Sequence, residues 1–557
     1  MKNNRFYSNK RYSTIIILFL LSLLISILKF PNLLYEKGFG FLGFLNYLFT
    51  LFILRKQNYK LSFFTGFLFG IIFFGITCYW FIYDSLLTFC IYTLIYGIIS
   101  AFLFLFFNYI GKKHIKSGWI LQWFIACSFE YLQGKIIPEF NLFTTVYSQW
   151  EYIYIIQISK IIGINGLNFF VIFPSFFIYG IVGKILDRKN IKTNRDTDNT
   201  LYECDSYINY ISKYEIQLKS TSLVFPVIFA FLWFFGLYGT IYFGIKNNQE
   251  TDCEEFKNVI LIQSNKDNLT DNKKIFRENL IQLMNFTDEI IELEDNADLI
   301  VWPENSIKCN FDNPDKDDIE SVLINQSVVD FFNKYKISFL SGNNYSDNDD
   351  FFNSICFYKS ASENYEYIKN ILRTYNESFP LLSDFKFLNI QNEKKQYRKG
   401  EFVTSFCIDN FYFSGLLDFE DYDYGLARKM IQSGGRCFIG LNTELKYNSK
   451  SYQYLHLTAD VFRAVESEVP FLRCSDSGIT CYISEKGRIV DLVESFSKTY
   501  LNVKVPILQK EKMTFFCDYG DIIGLTFFIF GIVLLLIQIF IDIILKIKIK
   551  FQVEKNG

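Results

Sequence analysis

DLIVWPEN, residues 298–305, is the stretch on which the fold turns. Four apolar residues, Leu299 to Trp302, read as a buried strand, and Pro303 then delivers Glu304 just past its end. Similar runs lie on either side. VILIQSN (259–265) reads as a strand. It is followed by an amphipathic stretch, 272–293, with Ile275, Leu280, Leu283, Met284, Phe286, Ile290 and Ile291 on one side. ISFLSGNNY (337–345), FNSICFYK (352–359), RCFIGLN (436–442) and GITCYISEKGRIV (478–490) read as further strands, and 402–420 as a hairpin turning at Asp409-Asn410. Strands interleaved with helices predict a layered α/β domain over 246–515.

Outside that window the chain changes character. Apolar runs at 14–28, 39–54, 61–83, 86–110, 118–132, 163–183, 220–244 and 521–546 predict an α-helical membrane bundle of about eight spans. Seven fall within 1–245, and the last lies in 516–557. Lys/Arg-rich segments recur at every second loop, with Lys2, Arg5, Lys10 and Arg11 before the first span, Arg55, Lys56 and Lys60 after the second, and Lys546, Lys548 and Lys550 in the tail. The positive-inside rule then places both termini in the cytoplasm, the 246–515 domain outside, and 186–218 as a cytoplasmic, partly disordered insert.

Composition agrees. Of 557 residues 50% are hydrophobic and 19% aromatic, more than a soluble chain of this size can hide. A net charge of −2 argues against a nucleic-acid partner. With only two histidines, His114 and His456, a multi-histidine metal site is not expected, nor is any cofactor. The 12 cysteines form no CxxC pair and read as buried thiols.

Three strand ends carry candidate chemistry: VWPEN with Glu304, YIKNILRTYNE (367–377) with Lys369 and Glu377, and GLLDFED (415–421) with Asp418 and Glu420. Residue by residue, Glu304 could be a solvent-facing loop acid and Lys369 a surface lysine. A bare buried Asp418 would cost several kcal/mol, so a salt bridge to Lys369, with a gap of no more than about 4 Å, is expected. The run Asp418, Glu420, Asp421, Asp423 could instead hold a divalent cation through oxygen ligands.

The order and spacing of these motifs resemble the apolipoprotein N-acyltransferases, a membrane branch of the nitrilase superfamily. VILIQSN and DLIVWPEN match that family's opening and glutamate-bearing strands. YIKNILRTYNE has its Tyr-x-Lys-Asn-x-Leu spacing, HLTADVFRAVESEVPFLRCSDSGIT (456–480) its helix-then-strand segment, and VYSQ (146–149) its Tyr-Ser-Gln. The resemblance implies an α-β-β-α nitrilase-like sandwich on the periplasmic side of a bacterial inner membrane. It implies a Glu–Lys–Cys triad that moves an acyl chain from a phospholipid donor to the α-amino group of a diacylglyceryl-Cys lipoprotein N-terminus. Glu304 would be the base, Lys369 the oxyanion partner, and Glu377, Phe419, Glu420 and Asn442 supporting residues. Counting back from HLTADVFRAVE and Gly434-Gly435, the family's Cys-Tyr-Glu falls on Asp418-Phe419-Glu420, and Thr443-Glu444-Leu445 replaces the Asp and Trp expected after Asn442. A carboxylate attacking an ester gives a mixed anhydride, an uphill step, so a catalytically inactive lipid- or lipoprotein-binding member is the alternative reading. Cys407, by the hairpin turn, would lie roughly 25 Å from residue 418. Cys474, beside Arg473, is the better substitute thiol.

Overall fold

A computed structural model describes residues 2–83, 85–113, 118–197, 224–247, 255–266, 270, 272–294, 296–311, 319–347, 350–360, 363–373, 377, 397–508 and 513–556. Most of the expected insert 186–218 lies outside these residues.

The N-terminal part is helical. Helices α1 (Lys2–Leu28), α2 (Leu48–Leu54), α3 (Tyr59–Thr77), α4 (Leu86–Lys113), α5 (Gly118–Ile136), α6 (Ser159–Thr197) and α7 (Val224–Lys246) precede the first strand. Among the described residues four helices are long and apolar enough to cross a membrane: Tyr59–Thr77, Leu86–Lys113, Ser159–Gly183 and Ile522–Ile541. That is fewer than the eight runs expected. The run 39–54 forms a shorter apolar stretch, Gly40–Leu54, in which a 3-10 turn, Gly40–Leu45, leads into the short α2 through Asn46, which is bonded to Ser26 and Thr145. Helix α5 buries Gln122, Glu130 and Gln133 against its neighbours, which lowers its hydropathy below that of a lipid-facing rod.

Two six-stranded sheets follow. The first runs β12-β1-β2-β3-β4-β5 and the second β11-β10-β9-β8-β7-β6. Their members are β1 (Phe256–Gln263), β2 (Leu299–Ile307), β3 (Ser338–Asp347), β4 (Asp350–Ser360), β5 (Glu363–Ile368), β6 (Phe406–Ile408), β7 (Phe411–Leu417), β8 (Phe438–Asn442), β9 (Phe471–Ser475), β10 (Cys481–Ile483), β11 (Ile489–Leu492) and β12 (Thr499–Pro506). In each sheet three parallel strands, β1-β2-β3 and β7-β8-β9, are flanked by antiparallel ones. The edge strands β5 and β12 were not among the expected strands, although TYLNVKVP in β12 carries the alternation of a strand half exposed at a sheet edge.

Alternation along β2 explains the layering. Leu299 and Val301 join the core between the sheets, whereas Ile300 and Trp302 join a second core. There they pack with Phe276, Leu280 and Leu283 of α8 (Lys273–Leu293) and Val328 and Phe332 of α9 (Ile319–Lys334). Asn272 caps α8 by accepting from the backbone N–H groups of Lys274 and Ile275. On the far side, α10 (Tyr424–Gln432) and α11 (Lys450–Ser467) cover the second sheet, giving an α-β-β-α sandwich. Helix α12 (Ile522–Asn556) closes the chain.

The sandwich sits directly on the helical part. Trp80 packs against Tyr452 and Tyr447, with ring centroids 4.4 and 5.5 Å apart. Asn141 Nδ2 donates to the Tyr422 carbonyl at 2.8 Å, and the Ile164 N–H to Glu466 at 2.8 Å. The VYSQ segment is a buried 3-10 turn whose Gln149 donates to the Gly40 carbonyl at 2.7 Å, so in this chain it ties loops together.

Candidate active site

Three parallel-strand ends and one edge-strand end meet at one edge of the sandwich. β2 brings Glu304, β5 leads into Lys369, β7 into Asp418, and β8 ends on Asn442. This is where polar side chains can escape the packed sheets.

Glu304 is aimed by a bulge. β2 and β3 pair regularly as far as Trp302 and Ser341, and the register then shifts before Ile307 and Asn343. Pro303 has no N–H to give to a ladder, and Asn305 takes a left-handed φ of 58°. Gly342 makes the bulge possible, since a Cβ there would lie 2.4 Å from Glu304 Cα. Glu304 is 4% exposed and accepts from Asn353 Nδ2 at 2.9 Å. Burial, and then the neighbouring Asp418 charge, push its carboxyl up to about 7.

Lys369 is fully buried and donates to Glu377 at 3.0 Å, with Asp418 Oδ2 at 3.8 Å. Burial opposes its charge, yet Glu377, Asp418 and Glu304 together hold its pKa above the usual lysine range. The expected Lys369–Asp418 proximity is therefore present. It is not the tightest link, because Asn353 Nδ2 also reaches Glu377 at 3.1 Å and so spans Glu304 and Glu377.

Asp418 opens a 3-10 turn, Asp418–Tyr422, with a left-handed φ of 49°. It is 5% exposed. Oδ2 lies 3.5 Å from Arg373 Nε, closer than the lysine, and Oδ1 has no hydrogen-bond partner. Burial would raise its pKa, but Arg373, Lys369 and His456 outweigh burial and hold it below the ordinary carboxylate value. Arg373 lies within YIKNILRTYNE but drew no attention in the sequence, since nothing in the spacing shows that the turn after β5 folds back over residue 418.

The supporting residues separate by role. Glu420 accepts from Tyr367 Oη at 2.9 Å, from the Asn370 and Ile371 N–H groups at 2.6 and 3.1 Å, and from the Leu417 N–H at 3.0 Å. It clamps the turn after Lys369 to the end of β7. Phe419 lies under the Arg373 guanidinium, 4.5 Å from its ring centroid. Asn442 is 1% exposed with both side-chain atoms lacking a hydrogen-bond partner. Glu377 accepts from Lys369 and from the Arg373 N–H at 2.8 Å.

The acid run disperses instead of converging. Asp421 pairs with His456 at 3.0 Å, and Asp423 caps α10 by accepting from the Leu426 N–H. No group of three or more His, Cys, Asp or Glu side chains among the described residues is placed to hold a metal ion. Neither Cys407 nor Cys474 is placed to substitute. Cys407 pairs with Tyr412 beside the hairpin turn, and the Cys474 thiol points between the sheets at the Ile262 and Val301 carbonyls, 3.4 and 3.5 Å away. This corrects the reading of Cys474 as a substitute nucleophile, because the inward side of β9 belongs to the core.

Residues 17–177 match the model of the apolipoprotein N-acyltransferase N-terminal domain. The chain is 25% identical over 543 residues to apolipoprotein N-acyltransferase 1 of Treponema denticola, covering 91% of this chain and 94% of that protein. Against the apolipoprotein N-acyltransferase of Borreliella burgdorferi it is 23% identical, covering 96% and 95%. Among solved structures, Nit3 of Saccharomyces cerevisiae, from branch 10 of the nitrilase superfamily, aligns with 46% of this chain and 93% of its own, at 16% identity and a TM-score of 0.35. An amidase from Nesterenkonia sp. aligns with 45% and 90%, at 14% identity and a TM-score of 0.34.

Fold and site together define a protein with apolar helices that carries a carboxylate–lysine centre at the edge of an α/β sandwich. By sequence the chain is similar to the bacterial apolipoprotein N-acyltransferases along most of its length.

Proposed function

We propose that this chain is a bacterial inner-membrane protein that binds a phospholipid and a diacylglyceryl-modified lipoprotein N-terminus at the Glu304–Lys369–Asp418 centre without transferring the acyl chain. Both termini are cytoplasmic and the 246–515 domain is periplasmic. The observation that carries the reading is the state of Asp418. In a mechanism using Glu304 as base and Lys369 as oxyanion partner, residue 418 is the nucleophile. Here it is a carboxylate facing two cations, 3.5 and 3.8 Å away, with its pKa pulled below the ordinary value. Pairing lowers its nucleophilicity further, and neither Cys407 nor Cys474 is placed to replace it.

One observation favours a second reading. Glu304 titrates at about 7, suited to taking a proton from an amine, and Lys369 stands by to polarise an ester carbonyl. Direct aminolysis would then form the amide without a covalent intermediate.

The test uses the full chain in phospholipid nanodiscs with a fluorescent diacylated lipopeptide. Saturable binding with the lipopeptide recovered unchanged supports the first reading. Triacylated product that disappears in Glu304→Gln supports the second. Absence of saturable binding sinks both.

A further inference from the structure

We infer that Arg373 is the counter-charge matched to Asp418 and a latch over the site, so that the pair, and not Asp418 alone, bars acyl transfer. This rests on the reading above that residue 418 occupies the nucleophile's place.

Lys369 is committed elsewhere. Its ammonium bonds Glu377 at 3.0 Å and stands 3.8 Å from Asp418, whereas Arg373 Nε is 3.5 Å from the same oxygen. Arg373 is also fixed from several sides. Its backbone N–H donates to Glu377 at 2.8 Å, its Nη1 to Tyr447 Oη at 2.7 Å, and its guanidinium lies 4.5 Å from the Phe419 ring centroid and 5.9 Å from that of Tyr447. At 7% exposure it is a buried cation that needs a buried anion.

The same contacts place it between residue 418 and the helical part. Phe419 and Tyr447 both pack on Trp80, at 6.4 and 5.5 Å, and Trp80 belongs to the 3-10 turn Tyr79–Tyr83 that follows α3. An acyl chain arriving from that side meets the guanidinium, held between two aromatic rings, before it reaches residue 418.

Charge logic makes the two positions interdependent. In Asp418→Cys alone, the guanidinium would pair with the thiolate, favouring its ionisation but holding its lone pair and blocking the approach. Removing Arg373 as well frees the step. The thiol proton passes to Glu304, and sulfur bonds to the ester carbonyl carbon. The glycerol oxygen then leaves with that proton. The acceptor amine next displaces sulfur, forming the amide as its surplus proton returns to the thiolate.

Two measurements on the full chain in nanodiscs test this. The first is a stability cycle of Arg373→Leu, Asp418→Asn and the double substitution, followed by thermal melting. Each single change should lower Tm, and the double should lower it by less than the sum. Additive losses overturn the pairing. The second compares Asp418→Cys with Asp418→Cys/Arg373→Leu, using labelled phospholipid and a diacylated lipopeptide. Transfer at least tenfold faster in the double variant, with the pH midpoint of thiol alkylation shifted upward, is expected. Equal transfer by both overturns the latch. No transfer by either, with the stability coupling intact, overturns the placing of residue 418 as the nucleophile, and the latch with it.

Discussion

Glu304, Lys369 and Asp418 form a balanced cluster whose members depend on one another. Lys369→Met would leave Glu377 and Asp418 buried with one cation fewer. Breaking a buried pair costs about 3–5 kcal/mol, so a Tm lower by roughly 5–15 °C is expected by calorimetry or a thermal-shift assay. Glu304 gives a pH signature. Its folded pKa, about 7, lies above the ordinary value, so the folded state holds the proton more tightly. Its contribution to stability is complete below about 4.5 and is lost as pH rises through 7. Melting from pH 5 to 8 should show a decline that is shallower in Glu304→Gln. An unchanged slope would mean that Glu304 does not titrate in this window.

At this scale the sequence was informative where a motif fixes its own neighbourhood. Glu304 after Trp302-Pro303 and Lys369 in its Tyr-x-Lys setting could be picked out, and the structure brings them to one site. Arg373 could not, because its partners, Asp418 and Tyr447, lie far along the chain and only the turn after β5 brings them within reach. The burial of Cys474 depends on which side of β9 faces inward, and one apolar-polar pattern cannot settle that when both sides of the strand are covered.

Among the elements, the β2 bulge matters most. Gly342→Ala would set a Cβ against the Glu304 backbone, so the bulge must shift or the strands part. Overpacking of this kind costs about 1–3 kcal/mol. The expected result is a lower Tm together with weaker lipopeptide binding, because the carboxylate is displaced. Retained binding at unchanged Tm would show that the strand yields without moving Glu304. Element by element, the apolar strands of the two sheets were readable because they are buried and short. The edge strands β5 and β12, each with few buried side chains, were not read. The run 39–54 is apolar and helical as read, but at Gly40–Leu54 it is shorter than the four helices long enough to cross a membrane, and hydropathy does not show the polar bonds of Asn46 within it.

For the whole molecule, the seam between helices and sandwich ties the site to the membrane. Trp80 is 1% exposed and touches Tyr447, Tyr452 and Phe419. Trp80→Ala should cost about 3–5 kcal/mol and loosen the sandwich from the helices, detectable as faster amide exchange over 445–456. Orientation is testable through Cys407, which lies at a partly exposed hairpin turn. A membrane-impermeant maleimide should label it in spheroplasts without permeabilisation, and labelling only after lysis would invert the proposed topology. The most direct test of the account concerns the native chain itself. After incubation with phospholipid and a diacylated lipopeptide, mass spectrometry of both partners should find the protein at its unmodified mass and the lipopeptide still diacylated. An acyl adduct on the protein, or a triacylated lipopeptide, would contradict the claim that Asp418 is paired and does not attack.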